Sequence, residues 1–88
     1  MSKDIDATLE ERGSRYGKFK DHARISCALK DVINRESPAL SASQREALSM
    51  ICHKMGRIIN GDPDYDDSWR DIAGYAELVV KELNGEGV

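Results

Sequence analysis

The apolar positions of this chain recur at spacings of three and four in four stretches, the period of amphipathic helices, and nothing alternates with the period of two that marks a half-buried strand. Residues 3–12 carry Ile5 and Leu9 on one side and predict a short N-terminal helix. Gly13 and Gly17 then break the pattern, so RGSRYGKF reads as a loop. A second helix is expected over about 21–36, opened by Asp21 as N-cap and striped by Ile25, Leu29, Val32 and Ile33. It should end before Ser37-Pro38, because a residue ahead of proline disfavours the helical region. The third, about 43–60, opens with SASQRE, where Ser43 and Glu46 fit a capping box. Its stripe is Leu48, Ile51, Cys52, Met55, Ile58 and Ile59, and Asn60-Gly61 stops it, with Gly61 suited to a left-handed C-terminal position. The fourth, about 66–84, begins at an Asp66 cap. Trp69, Ile72, Ala73, Ala76, Val79, Val80 and Leu83 form its stripe.

These elements predict an all-α fold, a small bundle of three main helices plus a short N-terminal one, in one domain spanning 1–88. At 88 residues the chain is small. Such chains bury little more than ~60% of their unfolded surface, so association into a homodimer or higher oligomer is expected. Gly56, and the Ala73, Gly74 and Ala76 cluster, suggest close helix approach.

Charge changes the picture in one respect. One third of the residues are charged, yet the net charge is -3, so no broad basic surface for wrapping nucleic acid is expected. No run approaches the ~18 apolar residues of a membrane span, and MSKDIDATLEERG lacks the apolar core of a signal peptide, which points to the cytoplasm. Cys27 and Cys52 sit inside helical stripes without a CxxC and read as a reduced, buried pair.

Three groups of residues could carry chemistry. An acidic elbow holds Asp62, Asp64, Asp66 and Asp67, with Asp71 one turn further on. Asp67 and Asp71 are four apart on one helix face, a spacing that can offer oxygen ligands to Mg²⁺, the candidate metal. The same acids also complement a helix N-terminus. Lys54 and Arg57 are three apart and could pair with Asp67 or Asp71 across an antiparallel contact, or grip phosphate. The RGSRYGKF loop adds Arg12, Arg15, Tyr16, Lys18 and Phe19, which could hold a phosphate and stack on a base or simply form a solvated turn. It has no Walker pattern, and nothing supports nucleophilic catalysis.

RYGKF, HKMGRIINGDPDYDDSW and DIAGYAELV, taken together and in this order, resemble a family of small phage and prophage proteins. The resemblance covers residues 8 to 83. Its D-x-x-G-Y-A element is similar to a helix of phage nucleotide-modification-associated proteins and, more distantly, to the all-α MazG-like nucleoside triphosphate pyrophosphohydrolases. That similarity implies Mg²⁺-dependent cleavage between the α and β phosphates, with Asp71 matching the aspartate of an E-x-x-D helix. The glutamate three residues earlier is replaced by Ser68, and Ser49 follows Glu46 where a partner E-x-x-E helix is needed. The expectation is therefore a phage or prophage accessory protein, in the host cytoplasm, that binds a nucleotide or other phosphate ligand without clear catalysis. Arg12, Tyr16, Lys54, Arg57 and Asp71 are its candidate ligand residues. A module that engages a host protein and a Mg²⁺-dependent pyrophosphohydrolase are the alternatives.

Overall fold

In the computed structural model, which describes residues 3–36 and 39–88, the chain forms α1 (Lys3–Tyr16), α2 (Phe19–Glu36), α3 (Ala42–Asn60) and α4 (Asp66–Leu83). The fold is all-helical, as the periodicity predicts. The helix boundaries differ at several points, each for a local reason.

α1 runs through Gly13 to Tyr16 and absorbs most of the expected loop. One glycine inside a helix costs only up to ~1 kcal/mol and does not end it. Gly17 ends it: at φ 77° it takes the left-handed conformation open to glycine, and its N–H donates to Gly13 O at 3.0 Å. α2 begins two residues earlier than expected. Lys18 O accepts from the N–H groups of Asp21 and His22, so Asp21 lies in the first turn and is not the cap. The Ser37-Pro38 stop lies outside the described residues.

α3 does open with a capping box, but two residues upstream of Ser43 and Glu46. Ser41 Oγ accepts from Gln44 N at 3.1 Å, and Gln44 Oε1 accepts from Ser41 N at 3.0 Å. Both pairs fit the same signature, and the earlier one satisfies the orphan donors. Gly61 is not left-handed: its φ is -129°. α4 is preceded by Tyr65, which makes no side-chain cap bond; Asp66 and Asp67 sit in the first turn, where they complement the helix dipole.

The helices form a small open bundle in which α2, α3 and α4 lie in one layer. α3 is central, with α2 on one side and α4 on the other, and α2 and α4 do not meet. Both neighbours run antiparallel to α3. His22 of α2 meets His53 and Gly56 while Arg45 Nη1 donates to Asn34 Oδ1 at the other end, and Lys54 meets Asp71 of α4. α1 covers the α2–α3 side near the end of α3.

Among the described residues, Ala47 and Cys52 are the buried apolar side chains, joined by His22, Ser26 and Ser68. Cys27 is exposed, so the expected buried cysteine pair is half correct. Burial raises the Cys52 thiol pKa. Gly56 does mark a close approach: a Cβ there would meet His22 Cδ2 at 2.9 Å. Gly74 does not, since a Cβ there would meet nothing within 4 Å. No helix is long and apolar enough to cross a membrane.

Candidate functional site

The site grows from the joint between α1 and α2. When α1 stops at Gly17, its last carbonyls need partners. Residues at and just beyond the end of α3 supply them. Asn60 Nδ2 donates to Tyr16 O at 2.9 Å and to Lys18 O at 3.0 Å, and Asp62 N donates to Arg15 O. Gly61 between them presses so close to Arg15 and Tyr16 that any side chain would collide with their backbone. The Tyr-Gly and Asn-Gly-Asp stretches are thus the two halves of one clasp. It holds the arginine-bearing end of α1 over α3.

The clasp organises a ladder of rings and cations. Arg57 of α3 lies over the Tyr16 ring at 4.2 Å from its centroid, and Arg15 lies over the Tyr65 ring at 4.4 Å. The two tyrosine rings stand 6.1 Å apart and tilted by 58°. Stacking of this kind fixes a guanidinium plane without neutralising it. Tyr65 also donates its hydroxyl to Asp67 Oδ2 at 2.8 Å; this bond, first, and partial burial raise its pKa.

Beside the ladder opens a cleft of about 590 Å³ between α1, the start of α2 and α3. Arg12, Lys18 and Arg57 bring cations to it; Tyr16, Phe19 and His53 bring rings. No acid lines it. Arg12 and Lys18 form no ion pair among the described residues. Phe19 is 80% exposed.

Two histidines form the floor. His22 is buried, and its Nε2 lies 2.9 Å from His53 O, so Nε2 carries the proton and donates to that carbonyl. The His53 ring packs edge-on to His22 with centroids 4.5 Å apart. Burial, and then the positive fields of His22, Arg57 and Lys54, lower the His53 pKa from 6.5 to about 4.

The five candidate ligand residues therefore divide. Arg12, Tyr16 and Arg57 come together at the cleft. Lys54 and Asp71 meet elsewhere, on the α3–α4 contact, as an ion pair of 3.0 Å. The Lys54 side chain is 12% exposed and that of Asp71 47%, so the pair screens a nearly buried ammonium. The basic pair of α3 is thus split, and Asp71 orients Lys54 alone. Asp67 and Asp71, expected to share a metal, each have their own partner, Tyr65 and Lys54. Asp66 Oδ2 takes Arg70 at 2.7 Å, and Asp62 Oδ1 accepts from Asp64 N in a turn. Among the described residues no three His, Cys, Asp or Glu side chains converge as a metal site would need. Trp69 folds back over the elbow, its Nε1 donating to Pro63 O at 2.9 Å.

Periodicity gives no sign of His22, Asn60 or Tyr65. Their roles rest on partners 31, 44 and 49 residues away in the chain or across a loop, which no single-helix pattern records.

Residues 2–83 match a domain of unknown function, DUF6378, and the chain belongs to that family. No curated protein and no solved structure gives a significant match.

Proposed function

We propose that this protein binds a nucleotide, or a closely related phosphate compound bearing a flat ring, in the cleft between α1 and the α2–α3 pair. The observation that carries the reading is the composition of that cleft. Three cations and several ring faces surround a space of about 590 Å³ with no acid on its walls. Volumes of a few hundred cubic ångströms, largely apolar with a few polar groups, are typical of small-ligand sites. Arg12 and Lys18 reach the phosphates, Arg57 is held flat by Tyr16, and Phe19 offers its exposed ring to the base. Binding is favoured over hydrolysis because the cleft walls offer no carboxylate to hold Mg²⁺ through oxygen.

Thermal shift and calorimetric titration against nucleoside mono-, di- and triphosphates test this, with inorganic tripolyphosphate as a ring-free control. A ligand specific to the folded state raises stability by RT ln(1 + [L]/Kd), about 2.7 kcal/mol at a hundredfold excess over Kd. Arg12→Glu with Lys18→Glu should abolish the shift, whereas Asp71→Asn should keep it. The reading fails if no nucleotide shifts the protein at millimolar concentration, or if the double charge reversal binds as well as the parent.

A further inference from the structure

The face of the layer opposite α1 has no cover, and its apolar pattern is continuous. Along α4 the more sheltered line is Ser68, Ile72, Tyr75 and Val79. One position further along each turn, Trp69, Ala73, Ala76, Val80 and Leu83 form a second complete helical stripe, and every one of them is exposed. α3 repeats the arrangement. Ala47 and Lys54 face α4, and one position further, Leu48, Met55 and Ile59 turn outward, with Ile59 60% exposed. Because the helices run antiparallel, these next positions open onto the same side. Val32 of α2, exposed and one residue before the packed Ile33, extends the face across the third helix. The Lys54–Asp71 pair and the ring ladder lie away from it.

We infer that this face is the contact surface of a homodimer, in which two α2–α3–α4 layers stack with their α1 helices and clefts outward. The occupant is argued from area. A folded monomer of 9.8 kDa should expose about 5,200 Å². This chain exposes 6265 Å², an excess of about 1,100 Å². A stable dimer removes ~800 Å² per partner, so one symmetric contact accounts for most of the excess. The radius of gyration, 14.9 Å, also exceeds the ~12 Å of a compact chain of this length, as expected for half of a two-layer particle. A second copy suits the face because its centre carries no charge, so self-stacking sets no like charges against each other. Small Ala73 and Ala76 between Trp69 and Val80 let opposed α4 helices approach closely.

Sedimentation equilibrium from micromolar to submillimolar concentration decides the matter. The parent should weigh twice 9.8 kDa. Ala76→Glu and Val80→Glu should weigh 9.8 kDa. Leu78→Glu, an equally exposed position on the other side of α4, should remain dimeric. Trp69 is the sole tryptophan and lies in the stripe, so its emission should move to longer wavelength wherever dilution lowers the mass towards 9.8 kDa. If the charged variants fail to fold, the parent's mass and its Trp69 emission decide. A parent that stays at 9.8 kDa throughout, a dimer that survives Ala76→Glu and Val80→Glu, or an emission that stays fixed while the mass falls to 9.8 kDa overturns the inference.

Discussion

Replacing Gly56 and Gly74 separately by alanine is the sharpest test of the packing at the histidine floor. Both glycines are interior to helices, α3 and α4. On helix propensity alone each substitution should stabilise by up to ~1 kcal/mol. The structure separates them. A Cβ on Gly74 meets nothing within 4 Å, so the propensity gain should be realised in full. A Cβ on Gly56 would stand 2.9 Å from His22 Cδ2, 3.2 Å from His22 Nε2 and 3.4 Å from its backbone oxygen. His22 has little freedom to retreat, because it is buried and its Nε2 donates to His53 O at 2.9 Å. Overpacking of this kind costs ~1–3 kcal/mol, and losing the bond adds ~0.5–1.5 kcal/mol. Gly56→Ala should therefore destabilise by about 0.5–3.5 kcal/mol after the propensity gain is subtracted. In a domain of this size 1 kcal/mol moves Tm by ~4–8 °C, so the two variants should melt at least ~6 °C apart. Urea and thermal unfolding followed by circular dichroism, at equal protein concentration, would show it. If Gly56→Ala stabilises as much as Gly74→Ala, His22 does not pack against α3 in the way described.

Further expectations concern titration and the ion pair. The His53 pKa is about 4 in the folded protein and near 6.5 unfolded. Its contribution is thus whole above pH 6.5 and is lost as pH falls from about 6.5 to about 4, because only the unfolded chain takes up the proton in that window. His53→Gln should flatten the stability profile there while sparing the backbone acceptor that His22 uses; a parallel profile would count against the buried neutral imidazole. At the α3–α4 contact, Lys54→Met should cost less than ~1 kcal/mol, since Asp71 is half exposed and rehydrates. Asp71→Asn should cost more, about 1–3 kcal/mol, because it leaves a nearly buried ammonium without its counter-charge. Equal costs in chemical denaturation would mean that the ammonium reaches water.

Spacing along the chain was enough to establish four helices, their approximate ends and the all-α fold, because helix formation depends on neighbours three and four residues away. It also allows Lys54 or Arg57 to meet Asp67 or Asp71 across the antiparallel contact, and of these pairings the structure makes Lys54–Asp71. The capping box, the stop of α1 and the start of α2 lie a few residues from where spacing puts them: Ser41–Gln44 and Ser43–Glu46 carry the same signature, and Gly17, not Gly13, takes the left-handed turn. Gly61 shows the limit most clearly. Its sequence context suggested a left-handed turn, whereas its real reason is the backbone of α1 lying against it. The ring ladder, the acid-free cleft and the split of the α4 stripe into a packed line and an outward one were decided by the three-dimensional arrangement alone. Each depends on how helices far apart in the chain are rotated against one another, and a single helix carries the same apolar spacing whichever side its neighbour takes.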